Sequence, residues 1–365
     1  MKPLKTLLAL STAMILNTAT AATGNLEVVA KLDGTRPGNP TVTPEGRIIL
    51  SMQPLDAPEF RVVELMANGD LKPFPTVDWA DGPEKGKVGL ASVIGVDTTA
   101  DGVVYILDMG SQTTPAQIVA WDSVNNKLVK AIEIDKSVTV ANSFLQDFAL
   151  DTKRNMMYIA DTTLGNLVGE SKSAFVVVDL ETGKARRVLE SQAELMSPEH
   201  KVVINGSVMG TKRKDGSKEA LYLGLNPITI DEQNEWVYFG TVNGDKVYRI
   251  PAAVLADEKA SVKKQADSIE YFSNKKPSDG MMIGPKGNIY VGDLEKNAIA
   301  VSNQDGYRIL AQDKKLLDWA DGFSIDKKNG YLYMTQNQLH LHPALNEGEE
   351  GSSKPYHILR IKLSK

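Results

Sequence analysis

The sequence of 365 residues contains no cysteine. That excludes disulfides, thiolate catalysis and any cysteine-ligated zinc or iron–sulfur centre. Histidine is scarce, with four in the chain, so a three-histidine metal site is poorly supplied. No excess of positive charge exists either: 41 basic residues face 46 acidic ones, for a net charge of −5. Nothing is left over to neutralise a phosphate backbone, which argues against nucleic acid as a partner. Sharp catalytic signatures are missing as well. No G-x-S-x-G elbow, H-E-x-x-H helix or P-loop occurs. No apolar run reaches the roughly 20 residues needed to span a bilayer.

What is present begins with a basic start, Met1-Lys2-Pro3-Leu4-Lys5, followed by the apolar stretch 7–16 (LLALSTAMIL) and the small residues Ala19-Thr20-Ala21. This order matches a secretory signal peptide over 1–21. Its removal takes two lysines and no acid, moving the net charge from −5 to −7. The mature chain from residue 22 is expected to be secreted or periplasmic, without a membrane span, and monomeric.

The rest of the chain repeats one unit: an apolar strand, a polar turn, then a second apolar strand. The copies are 40–53, 95–108, 148–161, 228–241, 280–293 and 323–336, with anchors Ile49, Tyr105, Tyr158, Tyr238, Tyr290 and Tyr333. Anchors recur every 40–80 residues or so, and further alternating strands (QIVAWD, FVVVDL, AIAVSN) follow several copies. Four short strands per unit make a propeller blade. The expectation is a single all-β domain over 22–365, a six-bladed β-propeller, with a sandwich as the alternative. Leu26–Leu32 is expected to pair with the last strand, 356–363, closing the ring without free edges. The widest interval holds an insertion at about 190–220, and 251–265 reads as a short helix begun by proline.

Segments 93–110, 144–163, 175–180, 247–255, 279–303 and 319–340 together resemble the yellow / major royal jelly protein family, in the family's order. The resemblance implies a secreted six-bladed propeller with a ligand site at one end of its channel. Members include dopachrome-converting enzymes, biogenic-amine binders and nutritive or signalling proteins, so membership leaves the function open. Disulfides of that family have no counterpart here, because there is no cysteine. Pro277-Ser278-Asp279-Gly280 also resembles, more distantly, the Pro-Asp-Gly signature of the gluconolactonase / regucalcin group. That group holds a divalent metal in its channel. A serine interrupts the signature here, and Asn39-Pro40 stands where the group has a glutamate.

The leading ends of the inner strands converge on a propeller's axis. They read Asn39, Ser92, Asp147, Asn226, Asp279 and Asp321. Oxygen donors of this kind suit Ca²⁺ or another divalent cation. Asp147, Asn226 and Asp279 are the expected metal set, and Asp279 and Asp147 the expected catalytic carboxylates. Asn39, Ser92, Asn226 and Asp321 are expected to line a ligand site. Phe148, Trp319 and Phe323 would offer it aromatic faces, or simply pack the core. Three functions compete: a small-molecule binder of the yellow type with or without catalysis, a metal-dependent lactonase, and a non-catalytic envelope scaffold. If the protein is an enzyme, lactone hydrolysis or isomerisation is the expected chemistry. His340 and His342 alternate as if on one face of a strand, yet two ligands make no metal site. The pentapeptide DWADG at 78–82 and 318–322 sits at different phases of the repeat and reads as local turn use.

Overall fold

The computed structural model describes residues 26–86, 88–213, 215–346 and 348–363. The signal-peptide reading of 1–21 lies outside the described residues. Six four-stranded antiparallel sheets follow one another around an axis. The first blade is Pro37–Val42, Ile48–Met52, Val62–Leu65 and Leu71–Pro73. The inner strands of the next five are Val93–Thr98, Leu145–Asp151, Leu225–Ile230, Met281–Ile283 and Ala320–Asp326. The sixth blade orders Ala320–Asp326, Tyr331–Gln336, Tyr356–Lys362 and finally Leu26–Leu32, which lies antiparallel to Tyr356–Lys362.

Position within a blade explains the strand sequences. A second strand has blades on both sides, so Met156–Asp161 is buried at every residue and reads as an almost unbroken apolar run. An outer strand is wet, so Lys127–Glu133 is mostly exposed. The apolar residues gather into clusters between successive blades. Phe148 joins Tyr105, Ile118 and Met157 between blades two and three, and Phe323 joins Tyr290, Ile299 and Leu332 between blades five and six. All six anchors share one register: Ile49, Tyr105, Tyr158, Tyr238, Tyr290 and Tyr333 pair with Thr41, Asp97, Ala149, Thr229, Met282 and Ser324.

Two local expectations change. The stretch after Pro251 forms two short helices, Ala252–Ala256 and Val262–Ala266, because Ser261 starts a new helix by accepting the Lys264 N–H at 3.1 Å. The insertion is more than a solvated loop. Its hairpin turn, closed by Arg213 N–H on the Ser217 carbonyl, is exposed, as are residues 198–201, but most of its apolar side chains turn inward. Val202, Ile204, Met209 and Leu221 are buried with Val242, Leu294, Trp319 and Leu345. The insertion therefore forms an apolar cap over the ends at which the inner strands of blades four to six begin.

Candidate functional site

Five of the six inner strands carry a β-bulge at the same level. Register breaks between Pro37 and Pro40, Val93 and Val96, Leu145 and Asp147, Leu225 and Ile228, and Ala320 and Phe323. A bulge re-aims the side chains of its extra residue. The residues in these slots are Gly38 and Asn39, Ile94 and Gly95, Gln146, Asn226 and Pro227, and Asp321 and Gly322. Asp279 and Gly280 lead the fifth blade, directly before Met281. Glycines in the slots allow close approach. A Cβ on Gly280 would stand 2.2 Å from the Asp321 carbonyl, and one on Gly322 would stand 2.3 Å from Asn39 Oδ1.

The slots assemble a buried acidic cluster. Asp279 Oδ1 accepts from Asn226 Nδ2 and, at 3.2 Å, from Gln146 Nε2. Its Oδ2 accepts from Trp319 Nε1 at 2.8 Å. The Asp321 carboxyl hydrogen-bonds that of Asp279, which requires a shared proton. Asn337 Nδ2 donates to Asp321 Oδ2 at 2.6 Å. Burial pushes the Asp279 carboxyl up, against the bonds from Trp319, Asn226 and Gln146. Burial and then the charge of Asp279 push Asp321 well above the usual range.

Two further carboxyls extend the cluster down the axis. Asp147 is pushed up to about 8, chiefly by burial and also by the charges of Asp97 and Asp279. Asp97 is pushed up to about 6 by burial, with Lys327 as its opposing charge. No arginine, lysine or histidine makes an ion pair with Asp97, Asp147, Asp279 or Asp321 among the described residues. Asn226 Oδ1 is buried with no partner, as is Thr41 Oγ1. An unmade bond to a buried acceptor costs about 1–3 kcal/mol, so these atoms call for a donor.

Trp319 roofs the cluster. Its indole lies flat on His340, with centroids 5.7 Å apart and planes 11° off parallel. Its backbone holds φ at 63°, a strained conformation for a bulky side chain, of order 1–3 kcal/mol. Burial holds His340 down to about 4, so its ring is neutral at pH 7. Above the indole lies the apolar cap.

The structure sorts the expected site residues. Asn39, Asp147, Asn226, Asp279 and Asp321 come together on the axis. Trp319 joins them through its N–H, as a roof. Ser92 stands apart: its N–H donates to Asp108 Oδ1 at 2.9 Å, and the slot of its blade is taken by Ile94 and Gly95. Phe148 and Phe323 sit in the cores between blades, 5% and 6% exposed. Phe148 fills the space beside Gly95, where a Cβ would meet its ring at 2.9 Å. His340 and His342 lie around a single 3-10 turn, Leu339–Leu341, rather than a strand. His342 turns to Asp56 at 3.3 Å. DWADG forms a helix at 78–80 but the entry to a strand at 318–322. Sequence reading missed Asp97, Gln146 and Asn337. Asp97 had a signal, a lone acid inside an apolar strand; the other two are amides with none.

The residues fit a metal poorly. Both oxygens of Asp279 already accept N–H groups, and one oxygen of Asp321 does the same. Among the described residues no three His, Cys, Asp or Glu side chains converge closely enough to hold a metal ion. The acids serve as hydrogen-bond acceptors and proton holders instead.

Known structures share the architecture. Regucalcin from Agrobacterium tumefaciens, a calcium-binding protein, is 13% identical with a TM-score of 0.53, over 92% of this chain and 93% of that one. A gluconolactonase from Xanthomonas campestris is 10% identical with a TM-score of 0.55, over 94% and 92%. A luciferin-regenerating enzyme is 13% identical with a TM-score of 0.54, over 93% and 95%. At such identity the likeness speaks for the fold alone. No curated protein matches the chain. The sequence model of the major royal jelly proteins matches residues 96–350. With that match over more than half its length, the chain belongs to the major royal jelly protein family.

Proposed function

We propose that this protein binds a small organic amine in its axial channel, and that it does so outside the cytoplasm. One observation carries the reading: Asp97, Asp147, Asp279 and Asp321 share the axis, and among the described residues no basic side chain is ion-paired with them. A buried charge without a partner is costly and drops its charge instead. An ammonium group on a ligand would supply the missing charge, and its N–H groups would satisfy Asn226 Oδ1 and Asp147. The proton held between Asp279 and Asp321 is available for acid–base exchange with a bound molecule. Export is supported by the signal-like segment 1–21 alone, and the N-terminal residue of the exported protein would test it.

Calorimetry with tryptamine and dopamine is the test, beside glucono-lactone and Ca²⁺. Amine binding that Asp147→Asn abolishes supports the reading. Its failure with both amines, or lactone turnover that depends on added Ca²⁺, would sink it. The lactonase reading has the fold in its favour and the engaged oxygens of Asp279 against it.

A further inference from the structure

An inner strand has its own blade behind it and neighbouring blades on either side. Water reaches the middle of such a strand only along the axis. Partial exposure of an inner-strand residue therefore reports which part of the axis is open.

The pattern is one-sided. At the capped end Asn226, Asp279 and Asp321 are each 3% exposed, and Trp319 above them 2%. One step further down, Asp147 is partly exposed, although Leu145, Gln146 and Phe148 on the same strand are buried. Further still, Asp97 and Met282 are partly exposed. They share the level of the anchor tyrosines, toward the hairpin turns that join first and second strands. The cap end is closed by apolar packing: Val202, Ile204, Met209 and Leu221 against Trp319 and Leu345. It is also bolted by polar bonds, Asn205 Nδ2 to Asp318 Oδ1 at 3.0 Å and Asn297 Nδ2 to Asn205 Oδ1 at 2.9 Å.

The hairpin-turn end carries a different device. Lys327 in the turn of blade six reaches Glu232 in the turn of blade four at 3.2 Å, past the intervening blade five. Lys327 is also the opposing charge felt by Asp97 of blade two. One lysine near three blades stands by the axis, over its open end.

We propose that the axial site is a blind channel entered from the hairpin-turn end, past Met282 and Asp97 and beneath the Lys327–Glu232 pair, with Trp319 closing its far end. Lys327 then governs which charges enter. Paired with Glu232 it offers little net attraction; without it, Glu232 and Asp97 would draw cations in. The identity of the ligand rests on the amine reading above, whereas the direction of entry rests on this geometry.

The absence of cysteine makes the test clean. Single thiols are placed by Met282→Cys, near the proposed opening, and by Ile94→Cys, in the ring of slots at the closed end. Each is labelled with cationic 2-aminoethyl methanethiosulfonate and with neutral methyl methanethiosulfonate, after circular dichroism has shown the variant folded. Met282→Cys is expected to react at least about tenfold faster than Ile94→Cys. Adding Lys327→Met is expected to speed the cationic reagent about threefold at low salt and leave the neutral one unchanged. Adding Asn205→Ala, which loosens the cap, is expected to leave labelling at Met282 unchanged. Faster labelling at Ile94, or acceleration at Met282 by Asn205→Ala, would overturn the proposal. A parallel titration with tryptamine separates the two readings. If wild type does not bind it, the amine reading fails while the labelling rates still decide the entrance.

Discussion

Two buried polar clusters lie at the strand-leading end of this propeller, and they are built on opposite terms. At the seam between first and last blades, Arg36 is 1% exposed. Its guanidinium meets Asp56 at 2.6 Å, Glu350 at 2.6 and 2.8 Å, Ser352 at 2.8 Å and the Asn337 carbonyl at 3.1 Å, and lies over the ring of Tyr356. Each nitrogen of the fork has at least one acceptor. On the axis, Asp279 and Asp321 are buried and Asp147 and Asp97 partly exposed, and among the described residues none of the four has an ion-paired cation. The seam cluster joins the chain's two ends and holds the 337–355 loop. Carboxyls buried without a cation cost stability, and such groups concentrate at functional sites.

The comparison is open to direct attack. The largest effect is expected from Arg36→Met, which strands Asp56 beside a buried methionine. Breaking one side of a buried pair costs about 3–5 kcal/mol, read as a lower urea midpoint. A loss under about 1 kcal/mol would mean that the seam is held by strand pairing alone.

Next comes the pH dependence of the wild type. Asp147, Asp97 and Asp318 are raised to about 8, 6 and 6 from an ordinary 3.8, all chiefly by burial. The folded protein thus keeps protons that the unfolded chain releases. Their contribution is fully present below about pH 4 and is lost as pH rises to about 8. Melting temperature without ligand should fall between pH 5 and pH 7, although His340, held down to about 4, and Lys275, held down to about 7, both by burial, oppose part of the fall; a profile that rises throughout would show that the axial acids are matched by a counter-charge. Asp147→Asn sharpens this further. It should stabilise by roughly 3–4 kcal/mol more at pH 8 than at pH 5, while amine affinity is lost. The smallest effect is expected from Glu350→Gln at the seam. Glu350 is 43% exposed, and such pairs contribute about 0.5–1 kcal/mol.

The fold was legible because its repeat is local. A polar turn followed by an apolar anchor recurs in every blade, and all six anchors fall at one register level. The site was legible only where chemistry and position coincided. Asp279, Asp321, Asn226, Asp147 and Asn39 could be placed because acids and amides at strand starts are uncommon in otherwise apolar segments. Ser92 was misplaced by the bulge. It stands before Val93, whereas the slot of its blade holds Ile94 and Gly95, and no residue type announces that slot. The cap was illegible for another reason. Its polar turn at 213–217 dominates the reading, whereas Val202, Ile204, Met209 and Leu221 are scattered singly and acquire a common purpose only when Trp319 and Leu345 meet them in space.

The bulges have a consequence for how such a protein can change. Each interrupts the two-residue alternation at one point and restores it below, so the anchor and the core between blades keep their register. Around the axis the protein thus carries a row of mutually bonded side chains mounted on a fixed frame. Rewriting Gln146, Asn226 or Asp321 would change the chemistry of the axis without asking any blade to fold differently.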